Sequence, residues 1–262
     1  MRKIDISFKR IQQLALPAII AGIAEPVLSS TDAAVVGNIA EFGTESLAAV
    51  GIVGTFISTI IWILAQTRSA ISAIISQNLG AGNLKSLTSF PAQAILFNIS
   101  LSFILLFSTY FFIEDILLFL RAEGKILEFS KEYYYIRIWG FPLTLFTFAI
   151  FGLFRGLQNT FWPMIIALIG VFINVGLDFI FVYGLEDFME PMGVKGAAWA
   201  SLIAQLVMAL LALVLVVTKT NISLKLKRKV HPEVKRLISM SFNLFIRSVA
   251  LNIALLMAVR EA

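Results

Sequence analysis

Residues 170–184 read "GVFINVGLDFIFVYG", and the fold follows from how that run is placed. It closes an apolar stretch of about 162–184, close to the length of roughly 20 residues that an α-helix needs to cross the hydrocarbon of a bilayer. Inside it stand Asn174 and Asp178, four residues apart and so one above the other on a helix. A carboxyl at that depth costs at least a few kcal/mol, about 2.5 on the mildest scale. Such a residue persists where it has a counter-charge or a use.

The rest of the chain places the run in a membrane. Of 262 residues, 59% are hydrophobic and only 14% charged, with mean hydropathy +0.90. Soluble domains carry about 25% charged residues. Further runs of spanning length lie at about 13–37, 47–77, 88–113, 131–154, 194–218 and 237–259, making seven expected spans. The second is too long for one simple crossing and is expected to tilt or protrude. The first begins after "MRKIDISFKRIQQ", is long and holds Glu25 and Asp32, so it reads as a retained span and not a cleaved signal. The expected fold is all-α and polytopic.

Charge sets the orientation and excludes other classes. The net charge is +5, but the bases are segregated. Arg2, Lys3, Lys9 and Arg10 precede the first span, and "KTNISLKLKRKVHPEVKR" after the sixth holds seven more, whereas "NIAEFGTES" has none and "LEDFMEPMG" is acidic. Both basic regions fall on one side for a cytoplasmic N-terminus. The bases therefore read as a topology signal in an inner (plasma) membrane protein, not as a nucleic-acid footprint. Cysteine is absent and His231 is the sole histidine, set in a basic polar segment. Disulfides, thiolate metal sites and a histidine triad are excluded within the chain. No cofactor is expected beyond a coupling ion, and no enzyme activity.

A weak repeat organises the spans. "FKRIQQLALPAII" before the first and "EVKRLISMSFNLF" before the seventh share a basic amphipathic start, aligning Lys9 with Lys235. This predicts a six-helix bundle over 1–218, a basic linker over 219–236 and the first helix of a second bundle over 237–262. Secondary transporters are commonly built from such repeated bundles.

The polar residues inside the spans form stripes. Glu25, Ser29 and Asp32 share a face of the first span, which also carries Pro17 and Pro26, two candidate kinks. Gln66, Thr67 and Arg68 lie deep in the second and read as cavity lining. In the sixth, "GVKGAAWASLIAQ" offers small residues for close packing, with Ser201 and Gln205 one turn apart. Each has two readings. Asp178 either pairs with Arg68 or Arg155 or holds a proton or cation. Asp32 is either an interfacial acid or part of the same site. Glu25 either titrates or balances Arg68, and Ser201 on spacing alone is as much a packing hydroxyl as a ligand. "YYYIRIWG" (133–140) reads as an interfacial aromatic belt.

These motifs resemble the multidrug and toxic compound extrusion (MATE) transporters, and most of all their DinF-like branch. The resemblance is carried by "LALPAIIAGIAEPVLSSTDAAVVGNIA", "ISAIISQNLGAGNLKS", "FGLFRGLQNTFWPMIIALIGVFINVGLDFIFVYGL" and "MGVKGAAWASLIAQ", in order along the chain. It implies the N-terminal bundle of a twelve-span antiporter plus the seventh span, with the C-terminal bundle as missing partner. It also implies an ion or proton site at Asp32, Asn174, Asp178 and Ser201, a first span bent at Pro17, and a cavity to which Glu25, Gln66, Arg68 and Gln205 are accessory. The expected cargo is small, amphipathic and often cationic, exchanged for H⁺ or Na⁺ across the lipid bilayer. The alternatives are a lipid-linked precursor flippase, which a strongly basic cavity would favour, and an inactive half-transporter.

Overall fold

The computed structural model describes residues 7–185, 188–220, 222 and 224–261, and the side chains of residues 25 and 252–261 are not among those described. The elements are α1 (Phe8–Gly37), α2 (Gly43–Leu64), α3 (Gln66–Gly80), a 3₁₀ turn (Leu84–Leu87), α4 (Phe90–Phe119), α5 (Gly124–Arg137), α6 (Gly140–Gly156), α7 (Phe161–Tyr183), α8 (Val194–Lys219) and α9 (Pro232–Glu261). A lone bridge between Leu185 and Met189 closes the α7–α8 loop. The chain is all-α, as expected, because in hydrocarbon the helix satisfies its own backbone polar groups.

Three spans differ from their sequence-based outline. The long second span is interrupted at Ala65, where Arg68 N–H donates to Ala65 O at 3.1 Å in a tightened turn. Its 38 residues, Gly43–Gly80, exceed what one crossing of about 30 Å uses. The fourth is not a single helix over 131–154. It is α5 and α6, bent by 47° at a short break. Pro142 on the first turn of α6 has no N–H to return to Ile138, and Phe141 N–H takes that carbonyl instead at 3.1 Å. With this pair counted as one, six elements among the described residues have the length and composition to cross a membrane. The expected seventh span corresponds to α9 and runs into residues 252–261, whose side chains lie outside the described residues. α9 begins at Pro232, five residues before the expected span, because proline suits a first helical turn.

Both prolines of α1 lie inside a helix assigned without a break from Phe8 to Gly37. Each removes one backbone hydrogen bond, but neither expected kink interrupts the helix.

Packing is closest between α7 and α8, with α1 against α7, α3 against α6 and α6 against α8. Small residues allow the approach: a Cβ on Gly196 would stand 2.5 Å from the carbonyl of Phe181, and one on Gly156 would stand 2.5 Å from the Cβ of Ile75. Buried residues form two apolar clusters. One holds Val36, Ile57, Leu117, Tyr134 and Val194, the other Ile74, Phe90, Ile150, Ile166 and Leu237. Along α7 and α8, Asn174 with Asp178, and Ser201, fall between the stretches that feed the two clusters, while on α6 the clusters interleave around Thr144 and Thr147. A polar layer thus separates them. α9 lies against α3, with smaller contacts to α4 and α2.

Candidate functional site

The polar layer is centred on Asp32. Its helix, α1, sits against α7 and α2, and this turns Asp32 inward until only 4% of its surface is exposed. Two hydroxyls donate to its Oδ2: Ser201 Oγ of α8 at 3.0 Å and Tyr133 Oη of α5 at 3.3 Å. Asn174 of α7 stands 3.1 Å from both Ser201 Oγ and Asp32 Oδ1. One orientation of its amide satisfies all of its neighbours: the nitrogen donates to Asp32 Oδ1, and the oxygen accepts from Ser201 N at 3.3 Å.

Asp178 lies one turn beyond Asn174 on α7 and is fully buried. Neither carboxyl oxygen makes a hydrogen bond among the described residues, and no ion pair joins it to Arg68 or Arg155, so the expected structural pairing is not formed. Asp178 interacts electrostatically with Asp32 and with Arg137. Burying a carboxyl group without hydrogen bonds carries a free-energy cost. The surrounding donor set is oxygen only: two carboxyls, the Asn174 carbonyl and two hydroxyls. Oxygen ligands suit a proton or a hard cation, and among the described residues no group of three or more His, Cys, Asp or Glu is placed to hold a metal ion.

Two cavities meet at Asp32. One, of about 370 Å³, lies between α1, α2 and α5 beside Gly51, Gly54 and Thr55. The other, of about 90 Å³, lies between α1, α6, α7 and α8 beside Thr147, Asn174, Ser201 and Gln205. Asp32, Ser29, Ser58 and Arg137 line both. Arg68 also lines the second, its guanidinium 4.9 Å above the Phe148 ring.

The structure thus brings Asp32, Asn174 and Ser201 into one hydrogen-bonded cluster with Asp178 beside it. Gln205 and Arg68 reach the cavity; Gln66 lines neither. Thr67 is not cavity lining, since its hydroxyl lies 2.7 Å from Asn98 Oδ1 and 2.8 Å from Leu64 O, joining α3 to α4 next to the break at Ala65. The Glu25 side chain lies outside the described residues. Sequence reasoning missed Tyr133 and Arg137, because "YYYIRIWG" is not an interfacial belt: Tyr133 and Tyr134 are buried, and the Arg137 guanidinium lies 5.9 Å from the Tyr133 ring. The four-residue spacing of Tyr133 and Arg137 was the available signal, since it puts a hydroxyl and a charge on one face.

The family model described as MatE matches residues 17–180. The chain belongs to the MatE family. It is 27% identical over 253 residues to the DNA damage-inducible protein F of Escherichia coli (strain K12), covering 94% of this chain and 53% of that protein. It is 28% identical over 202 residues to a probable multidrug resistance protein NorM of Thermotoga maritima, covering 76% and 42%. The fold superposes on a MATE protein solved in a bent conformation with a TM-score of 0.86 at 23% identity, over 95% of this chain and 55% of that one. A transporter of the MOP superfamily from Pyrococcus furiosus, described as having a binding pocket of reverse polarity, gives 0.82 at 22%, over 95% and 54%. The chain spans about half the length of the MatE relatives that it matches.

Proposed function

We propose that this chain is the ion-coupling bundle of a MATE antiporter that exports amphipathic, often cationic organic compounds by alternating access. Asp32, Asp178, Asn174 and Ser201 hold the coupling H⁺ or Na⁺, Tyr133 positions Asp32, and the second bundle completes the cargo pathway. The observation that carries the reading is Asp178, fully buried beside Asp32 with no hydrogen bond to its carboxyl oxygens among the described residues. Two neighbouring acids in a low dielectric raise each other's affinity for a positive charge. Because Asp32 stands on α1, α5 and α8 contacts at once, loading the pair changes what holds α1, and through it both cavities. The basic N-terminal and linker segments are assigned to the cytoplasmic side of the inner membrane.

The test is Asp178→Asn in the protein with its second bundle present, assayed for efflux from vesicles under imposed H⁺ or Na⁺ gradients alongside thermal stability. Efflux is expected to be lost while stability holds or rises, since Asn keeps the shape without the buried charge. Efflux at the unmutated rate ends the reading. Asp32→Asn is expected to behave alike. One observation favours a second reading: Arg68 and Arg137 both line the smaller cavity, and bases there suit an anionic cargo such as a lipid-linked precursor. Competition between a cationic dye and an anionic amphiphile separates the two.

A further inference from the structure

The segment "LKLKRKV", residues 224–230, lies between α8 and α9 without regular secondary structure and bends at Arg228 and Lys229. Its residues from Lys225 to Val230 are all exposed, and no acid stands between Lys219 and Glu233. Two of the exposed side chains are large and apolar: Leu226 at 60% and Val230 at 59%. The backbone beneath them is held. Gln93, in the first turn of α4, donates through Nε2 to the carbonyls of Lys227 at 3.0 Å and Lys229 at 2.9 Å, and its Oε1 accepts from His231 N at 2.8 Å. Ile222 and Leu224 pack on the core. The strip is therefore fixed against the end of the bundle, with Lys227 Nζ 3.5 Å from Thr88 Oγ1 and with Arg228, Lys229, Leu226 and Val230 exposed.

Its depth follows from its neighbours. α8 ends at Lys219, whose ammonium lies 5.6 Å over the Trp162 ring, a pairing typical of the boundary between hydrocarbon and headgroups. The strip begins five residues after Lys219 in the sequence.

We propose that residues 225–230 are a docking strip for anionic phospholipid headgroups, with Leu226 and Val230 seated among the upper acyl carbons and Lys227, Arg228 and Lys229 on the phosphates. The occupant is read from complementarity of both kinds. Three adjacent bases attract an anionic surface, while exposed Leu and Val beside them match the apolar layer under it and would gain nothing from a purely polar polyanion. The proposal rests on the membrane placement of the bundle and not on the ion site, so it stands or falls separately from the transport reading.

The chain has no cysteine, so Leu226→Cys carries one thiol dye at a defined place. The protein is reconstituted in bilayers of phosphatidylcholine with phosphatidylglycerol, brominated on the acyl chains of one lipid or the other. Dye at 226 is expected to be quenched more strongly by brominated phosphatidylglycerol, and raising the salt should erase the preference. Dye at Phe188→Cys, in the α7–α8 loop, should show no preference. Adding K227Q/R228Q/K229Q is expected to lower the preference about tenfold or more, at roughly a kcal/mol per base. Should that variant fail to fold, the Leu226→Cys measurement alone decides. Equal quenching by both lipids, or none, overturns the proposal and leaves a soluble acidic partner as the reading of the strip.

Discussion

Ser201 shows how one hydroxyl carries two possible meanings until its neighbours are known. On spacing it is a small residue in a close-packed helix face. In the structure it donates to Asp32 Oδ2 at 3.0 Å and stands 3.1 Å from the Asn174 amide, so it is the joint between α1 and α7. Ser201→Ala leaves buried polar atoms on two helices without this partner, and a loss of about 1–3 kcal/mol is expected for that kind of deletion. Ser201→Thr keeps the oxygen and should recover most of the loss. Thermal unfolding of both variants in detergent is the check, and full tolerance of alanine returns Ser201 to a packing role.

At the scale of elements, the contact between α3 and α6 depends on the run "GLFRG", residues 152–156, where two glycines four apart face the partner helix. A Cβ on Gly152 would stand 2.8 Å from Arg68 O, and one on Gly156 would stand 2.5 Å from Ile75 Cβ. Both obstacles are backbone or branched carbon, which cannot swing aside. Gly156→Ala is expected to cost about 1–3 kcal/mol by overpacking. Gly176→Ala on α7, where nothing lies within 4 Å, should be neutral or gain up to about 1 kcal/mol from helix propensity. Chemical or thermal unfolding of the pair is the measurement. Equal effects would mean that α3 and α6 are not so close. Gly140, at the bend between α5 and α6, leaves room for a different neighbour: a Cβ there would collide with Gln205 Oε1. The bend thus gives Gln205 its place at the cavity wall.

Across the whole molecule, the linker after α8 is tied to the bundle chiefly through one side chain, Gln93, which makes three hydrogen bonds to linker backbone. His231 Nε2 adds a contact of 3.1 Å to Ser86 O, and Arg236 pairs with Gln77 of α3. Gln93→Ala should release residues 227–231, raising their amide exchange by about two- to tenfold per lost bond of roughly 0.5–1.5 kcal/mol. The bundle's melting temperature should change little. Gln93→Glu keeps the acceptor for His231 N and should free only the 227 and 229 carbonyls. Unchanged exchange in the alanine variant would show that the core contacts of Ile222 and Leu224 suffice. At the opposite end, Lys131–Glu114 at 2.7 Å and Lys195–Glu132 at 2.8 Å link α5 to α4 and α8 on the surface, where such pairs add about 1 kcal/mol or less.

The amino-acid sequence by itself determined the solvent, the all-α class, most of the helices and the face on which each polar residue lies. Those properties depend on run length and on the 3.6-residue period, both local to one helix. That is why Asp32, Asn174, Asp178 and Ser201 were legible before any fold was known. Only the tertiary structure decided how each helix is rotated and tilted against the others. It put Tyr133 under Asp32 when its neighbours suggested an interfacial belt, and it joined Thr67 to Asn98. It also set Asp178 in the field of Arg137 and not in an ion pair with Arg68 or Arg155, the two arginines its charge had suggested. A sequence states the angle of a side chain about its own axis, whereas a contact depends on two axes at once, and their crossing is settled by the packing of every glycine and apolar side chain between them.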